Sequence, residues 1–389
     1  MSHRSSSVIL PGATIGIFGG GQLGRMTAMA ARSLGYRIQV IDPDPACPAR
    51  FVVDNTFTAS LSDVDAAEDL ARGSDVVTIE IEKVGLEALR AAAKHAPTRP
   101  NAEALEIIQH RARQKDWLIQ NGFPVGRSKR VSSAAELERA AREMSAPGRK
   151  TEYFVKAAQG GYDGRGQAML HAPEDAHKAW LYLGAEVCVI EEALDLEFEI
   201  SVQVARNPKG DVVAFPPALN HHVNRILEWS VIPAPIELSL AAAATELARN
   251  IIAKIDIIGL LCVEMFVTKK GELLVNELAP RPHNSYHASE RGCATSQFEQ
   301  CVRAICNLPL GSTEVLEPAA IVNLLGDLWL ASPHPRFDAA LSVPGVGVHL
   351  YEKEVPKAGR KMGHLSAVGK TPEEAVKRVQ EAKRILDAV

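Results

Sequence analysis

LLCVEMFV (Leu260 to Val267), the tetrapeptide Lys269-Lys270-Gly271-Glu272 and LLVNEL (Leu273 to Leu278) read as strand, turn and returning strand, and this stretch decides the fold. A turn centred between Lys270 and Gly271 sets Glu264 directly opposite Glu277 on one sheet face, with Cβ atoms about 5 Å apart. Like charges so placed repel and weaken the hairpin. Two carboxylates kept this close point to a shared proton or to a hard cation between them. Mg²⁺ held by carboxylates, with substrate phosphates completing its shell, is the usual arrangement in ATP-using enzymes. A solvated acidic pair, or a register shifted by one residue, is the plainer alternative.

Directly after the hairpin comes NELAPRPHNSYH (Asn276 to His287), the densest polar cluster of the chain. Arg281, His283 and Asn284 are donors that can stabilise a developing anion. Pro280 and Pro282 stiffen the segment, which otherwise reads as a rigid surface loop.

Upstream, YFVKAA (Tyr153 to Ala158), QGGYDGRG (Gln159 to Gly166) and QAML (Gln167 to Leu170) read as a hairpin with a glycine-rich tip. Lys156 ends the first strand, within reach of a phosphate. Four glycines in the tip, Gly160, Gly161, Gly164 and Gly166, cost entropy that a mere turn does not require, so a mobile phosphate-wrapping lid is the better reading. Asp163 and Arg165 are the charges inside it. Arg111 and Lys115, at i and i+4, share one helix face and form a second phosphate clamp or a solvated basic face. VCVIEE (Val187 to Glu192) and EFEISVQVA (Glu197 to Ala205) are strands joined by Ala193 to Glu197. Glu191, Glu192 and Glu199 flank that connection, either as nucleotide contacts or as exposed acids.

At the N-terminus, ATIGIFG (Ala13 to Gly19), a helix from Gln22 to Leu34 and a strand from Arg37 to Ile41 form a β-α-β unit, implying a parallel sheet. Gly19-x-Gly21-x-x-Gly24 with Asp42 satisfies the dinucleotide fingerprint. The same turn serves any anion at a helix N-terminus, so it leaves a nicotinamide cofactor and a substrate phosphate both open. A helix from Asp63 to Arg72 and a buried strand from Asp75 to Glu80 follow. Asn101 caps a helical stretch running to Asn121, and a domain boundary is placed near residue 105. Beyond Pro318 a small β-rich piece carries Tyr351-Glu352-Lys353 and Gly359-Arg360-Lys361-Met362-Gly363-His364, a cation-rich turn, before a terminal helix from Pro372 to Ala388.

The 389 residues fit two or three domains, at roughly 100–200 residues each. A net charge of −4 gives no footing for a nucleic-acid or membrane-surface partner. No apolar run approaches the roughly 18–20 residues of a membrane span. MSHRSSS starts the chain as a short polar tail, with no signal-type segment after it. The six cysteines include no C-x-x-C pair and read as buried small hydrophobes in a reducing, cytoplasmic setting.

The order of these features resembles the ATP-grasp superfamily, and within it the family of 5-(carboxyamino)imidazole ribonucleotide synthases. GGGQLGRM (Gly19 to Met26), GGYDGRGQ (Gly160 to Gln167), NELAPRPHNS (Asn276 to Ser285), SQFEQCVRAICNLPLG (Ser296 to Gly311) and GRKMGH (Gly359 to His364) carry the likeness across nearly the whole chain. It implies a mixed α/β and α+β enzyme in three parts. These are an N-terminal Rossmann-like domain (1–105), an ATP-grasp domain (106–312, with a lid lobe at about 125–192) and a small β-rich C-terminal domain (313–389). It also implies a homodimer, with possible hand-off of product to a downstream mutase. The implied reaction joins bicarbonate to the amine of aminoimidazole ribonucleotide through carboxyphosphate, with ATP cleaved. On this likeness Arg111, Lys156, Gly161, Tyr162, Asp163, Gly164, Gly166, Gln167, Glu191, Glu192, Ala193, Leu194, Glu199 and Asn276 contact ATP. Glu264 and Glu277 hold Mg²⁺, or Mn²⁺. Gln22, Leu23, Asp163, Lys353, Arg360 and Lys361 meet the ribonucleotide, and Arg165, Arg281, His283 and Asn284 serve the bicarbonate pocket. One departure stands out: Lys357-Ala358 precede Gly359 where the family has Arg-Pro, which loosens that loop. A sister ligase with another amine or acid, or a nicotinamide oxidoreductase built on the Gly19 turn, are the competing expectations.

Overall fold

In the computed structural model, which describes residues 7–145, 152–160 and 166–388, the chain builds three sheets. The first is parallel. Its strands β1 (Thr14–Phe18), β2 (Arg37–Asp42), β3 (Asn55–Thr58) and β4 (Val76–Ile79) run in the order β3-β2-β1-β4. Ile15, Ile17, Ile38, Val40 and Val76 are buried on one side, and Phe18, Ile41, Val77 and Ile79 on the other. These β-branched runs therefore sit between two helical layers, as parallel strands must. Helix α1 (Gln22–Ser33) springs from the glycine turn, α2 (Val64–Arg72) is capped by Asp63, and α3 (Leu86–Ala92) returns along the sheet.

The helical stretch after Asn101 is broken, not continuous. Helix α4 (Ala102–Ile108) ends at Gln109, and α5 (Arg111–Gln120) starts anew after His110. His110 has extended dihedrals, and its Nδ1 accepts the Arg113 amide, so a side chain usually neutral in helices has become a cap. The restart turns Arg111 and Lys115 inward, and the Arg111 amide donates to Ala158 O at 2.8 Å.

A second sheet of order β5-β8-β6-β7 combines β5 (Ser128–Val131), β6 (Tyr153–Ala157), β7 (Gln167–Leu170) and β8 (Cys188–Glu192). Helices α6 (Ala134–Met144) and α7 (Ala176–Leu183) cover one face, around buried Leu137, Tyr153, Val155 and Ile190. Lys156 pairs with Gln167 as the hairpin reading requires. The tip residues Gly161 to Arg165 lie outside the described residues, as do residues 1–6 of the tail.

The third sheet has nine strands, ordered β14-β13-β9-β11-β12-β15-β17-β16 with β10 paired to β9. Its first members are β9 (Leu196–Arg206), β10 (Val212–Ala214), β11 (Ala218–Val223), β12 (Ile226–Ile232), β13 (Gly259–Thr268) and β14 (Leu273–Ala279). Helix α8 (Leu238–Ile255) buries Ala244, Ala248, Ile251, Ile252 and Ile255, a three-to-four spacing, against Ile200, Val202, Leu261 and Val263. Helices α9 (Ser289–Gly292) and α10 (Gln297–Ile305) follow the hairpin. Strand β15 (Ala319–Leu325) then pairs with β12, and after the short α11 (Asp327–Ala331) and α12 (Phe337–Ala340), β16 (Val346–Leu350) and β17 (Lys361–Val368) extend the same sheet under α13 (Pro372–Asp387). The expected basic turn at Gly359 to His364 is thus largely strand: Lys361 to His364 alternate along β17. The strand expected from Glu197 to Ala205 is β9, one residue longer at each end. All six cysteines are free and buried. Among the described residues no helix is long and apolar enough to cross a membrane.

Candidate active site

Glu264 does face Glu277, but the turn is not where the sequence placed it. Pairing of Val267 with Leu273 and Met265 with Val275 centres the turn on Lys270. An extra residue, Asn276, then bulges out of β14 and restores the opposition of the two acids. A bulge re-aims side chains next to a site. Here it leaves Asn276 Oδ1 buried without a hydrogen-bond partner, beside Glu277.

In this state protein cations satisfy both carboxylates. Arg111 Nη1 lies 3.1 Å from Glu277 Oε2, and His283 Nε2 lies 3.1 Å from Glu264 Oε1. Burial opposes the charge on Glu264 and on His283; His283 outweighs it on Glu264, and Cys262 followed by Glu264 outweighs it on His283, so Glu264 is held low and His283 is held high. The linkage has a definite sign. His283, raised, contributes stability that is complete below its ordinary 6.5 and is lost as pH climbs toward its folded value. Glu264, lowered, contributes stability present above its ordinary 4.5 and lost as pH falls below it. The nucleotide-free protein is expected to lose melting temperature as pH rises above 6.5, and Glu264→Gln to flatten that limb in a pH-resolved melting scan.

The phosphate end carries surplus positive charge. Glu191 Oε2 accepts from Lys156, and Glu191 Oε1 lies 3.4 Å from Lys115 Nζ, with Arg111 nearby. Burial pushes the Glu191 carboxyl up, and Lys156 and Lys115 outweigh it, bringing it to about 2. Lys115 itself is shifted down, first by burial and then by its cationic neighbours. Arg111, Lys115 and Lys156 thus share two carboxylates, buried Glu191 and the more open Glu277. Such a set is poised for a polyanion. The Glu191 carboxylate turns to Lys156, while its backbone, with Glu192, Ala193 and Leu194, stays at the end of β8 and the connection to β9.

On β9, Glu199 lies 3.1 Å from His222 Nδ1, and both border a cavity of about 280 Å³ with Leu196, Phe198 and Asn220. The charge on His222 is disfavoured by burial, and Glu199, with a smaller influence of Glu264, outweighs that and raises it. His222 was missed from sequence, because a histidine in a β-hairpin has no local signature.

The NELAPRPHNS loop ends in a turn whose polar groups split in two. Arg281 Nε pairs with Glu82 at 2.8 Å. Both side-chain atoms of Asn284 are buried with no partner. The loop is fastened by Gln297: its Oε1 accepts the His283 amide at 2.8 Å and its Nε2 donates to His283 O at 2.9 Å.

The glycine turn departs from its anion-binding reading. Glu80 accepts from the amides of Gly21 and Gly24, each at 2.6 Å, and Asp42 accepts from Gly20 at 2.7 Å. The donors that a phosphate or dinucleotide would need are occupied by the protein's own acids. Gly24 is required for packing, since a Cβ there would sit 2.4 Å from Gly19 O. Glu80→Ala is expected to destabilise by about 1–3 kcal/mol for each amide left without a partner, measured by denaturant unfolding, and added phosphate should not restore it. Beside this turn Gln22 Oε1 accepts from Lys353 Nζ at 2.7 Å, and Lys353 also donates to Lys361 O. Leu23 is buried next to Tyr351. Arg360 Nη1 donates to Val355 O at 2.7 Å. Asp163, Arg165, Gly161, Tyr162 and Gly164 lie outside the described residues.

Residues 12–109 match the ribonucleotide synthetase preATP-grasp domain, 116–298 the ATP-grasp domain and 319–378 the phosphoribosylaminoimidazole carboxylase C-terminal domain. The chain is 39% identical to N5-carboxyaminoimidazole ribonucleotide synthase of Bacillus subtilis (strain 168), over 96% of each chain. A solved N5-carboxyaminoimidazole ribonucleotide synthetase in complex with ADP superposes with a TM-score of 0.90 at 41% identity, covering 98% of each chain. The Aspergillus clavatus synthase, solved with ADP and 5-aminoimidazole ribonucleotide, superposes with a TM-score of 0.87 at 30% identity, covering 97% of this chain and 99% of that one. The chain belongs to the N5-carboxyaminoimidazole ribonucleotide synthase family, ATP-dependent carbon–nitrogen ligases of ATP-grasp fold that act in purine biosynthesis.

Proposed function

We propose that this chain joins bicarbonate to the exocyclic amine of 5-aminoimidazole ribonucleotide through carboxyphosphate, with ATP cleaved to ADP and phosphate. The observation that carries the reading is the shared pocket of Arg111, Lys115 and Lys156, whose surplus charge faces the Glu264–Glu277 pair. Family membership and the relative solved with ADP and the ribonucleotide support the same substrates.

The residues divide the work. Arg111, Lys115 and Lys156 take the ATP phosphates, with Gly166, Gln167 and the lid tip closing over them. Glu199 and His222 take the ribose, and the backbone of Glu192, Ala193 and Leu194 takes the adenine. Glu264, Glu277 and the unpartnered Asn276 Oδ1 form a hard oxygen set that fits Mg²⁺ and accepts Mn²⁺. When bound there, the ion neutralises charge on the transferring phosphoryl group. With the carboxylates engaged by such an ion, His283 and Arg111, which contact Glu264 and Glu277 at 3.1 Å, would be the donors available to the reacting anion. Asn284, with both amide atoms free of partners, and Arg281 complete the bicarbonate pocket. Gln22, Leu23, Lys353 and Lys361 line the ribonucleotide side, with Asp163 from the lid, whose Arg165 serves the bicarbonate pocket. Arg360, on the loop that follows Lys357-Ala358, is the further cation of this side. Water exclusion by the lid protects carboxyphosphate. The three-part division near residues 105 and 312, a homodimer, cytoplasmic operation and product hand-off to a mutase belong to the same reading.

Carboxyphosphate is tested with ¹⁸O-labelled bicarbonate. One bicarbonate oxygen is expected in the phosphate released. Unlabelled phosphate would show that ATP is cleaved by water and that the carboxylation follows another route.

A further inference from the structure

Behind the catalytic loop three imidazoles form a column that the reaction above does not use. His349 in β16 and His364 in β17 are direct partners in the antiparallel register, with ring centroids 5.1 Å apart and planes 10° from parallel. His364 stacks in turn on His287 at 4.8 Å. Glu290, on α9, brings its carboxylate to the outer end, with Oε2 3.9 Å from His349 Nδ1. One ligand atom each from Glu290, His349 and His364 lies within 4.8 Å of the others.

The donor set is two imidazole nitrogens and one carboxylate oxygen. That mixture suits Zn²⁺ and its first-row neighbours, whereas Mg²⁺ prefers oxygen alone. His364 is already prepared as a ligand. Its Nδ1 is engaged with the Tyr351 hydroxyl at 2.8 Å, leaving Nε2 for an ion. An outer hydrogen bond of this kind fixes the tautomer and orientation of metal-bound histidines. His364 and Tyr351 are buried, so the inner half is rigid. The His349 and Glu290 side chains keep 21% and 33% of their surface, which gives an ion a way in. Further along the column, His287 Nε2 is buried with no hydrogen-bond partner, so imidazole nitrogen is under-satisfied on this side of the protein. Turning the half-buried His349 ring about its second side-chain torsion, a broad well, brings its nitrogen toward that of His364.

We propose that Glu290, His349 and His364 form a site for a Zn²⁺-class divalent ion, separate from the Glu264–Glu277 site, that ties α9 to the β16–β17 ribbon.

The test titrates the chelator-treated full chain with Co²⁺ in excess Mg²⁺, followed by a Zn²⁺ chase. One equivalent per chain is expected, with a visible ligand-field band, displacement by Zn²⁺ and a rise in melting temperature. His349→Ala and Glu290→Gln should each weaken it about 10-fold or more. Glu264→Gln should keep it. A wild-type chain with no saturable equivalent, variants that bind like wild type, or loss of the equivalent in Glu264→Gln would each overturn the proposal. Both substitutions lie on partly exposed side chains, and Glu290→Gln preserves shape, so the measurement stands if His349→Ala folds poorly.

Discussion

Glu277→Gln is expected to cut ribonucleotide-dependent ADP release by about 10²-fold or more while leaving the fold intact. The substitution keeps shape and removes one of the two facing charges. A hard cation gains most of its affinity from carboxylate charge, so the Mg²⁺ requirement should also rise. Stability should change little. The Glu264–Glu277 opposition is a like-charge pair, and relieving it offsets the loss of the Arg111 contact at 3.1 Å. Steady-state ADP release across a Mg²⁺ titration, with a melting curve as control, checks both halves. Wild-type turnover at ordinary Mg²⁺ would remove the metal role from this hairpin.

His283→Ala is expected to slow product formation by about 10²-fold, the usual contribution of a positioned proton-handling group, with ATP affinity close to wild type. The backbone of the loop is fastened apart from the ring: Gln297 holds the His283 amide and carbonyl from both sides, and Gln203 donates to Arg281 O. The ring's Nδ1 lies 2.8 Å from Ser285 Oγ, which orients it, and Nε2 faces Glu264 at 3.1 Å, the atom that would serve the reacting anion with a metal on that carboxylate. Turnover alongside ATP binding by calorimetry separates the two effects. A variant that loses ATP affinity and keeps its turnover at saturation would place His283 with the nucleotide.

Features set by short-range chemistry were legible in the sequence, and those set by distant strands were not. The β-α-β unit, the Lys156 hairpin and the opposition of Glu264 with Glu277 follow from periodicity and turn residues. Even there the bulge at Asn276 was invisible, because a one-residue shift in the turn and a one-residue insertion cancel at the position that matters. The glycine turn shows the opposite failure. Its local pattern is that of an anion site, yet Glu80, 59 residues from Gly21 in the chain, reaches back to take the amides. The strand β17 was read as a turn because its glycines and cations hide a run that is buried only through pairing with β15 and β16. Lys115 carried a usable signal, its four-residue spacing from Arg111, but its burial depends on the helix break at His110, which propensity does not foresee.

The account turns on one measurement: ADP release from Mg-ATP in bicarbonate buffer, with and without 5-aminoimidazole ribonucleotide. The account predicts slow release alone and strong stimulation by the ribonucleotide, since carboxyphosphate is useful only with its acceptor present. ATP turnover that is indifferent to the ribonucleotide would contradict it, and would leave an ATP-grasp ligase with a different amine.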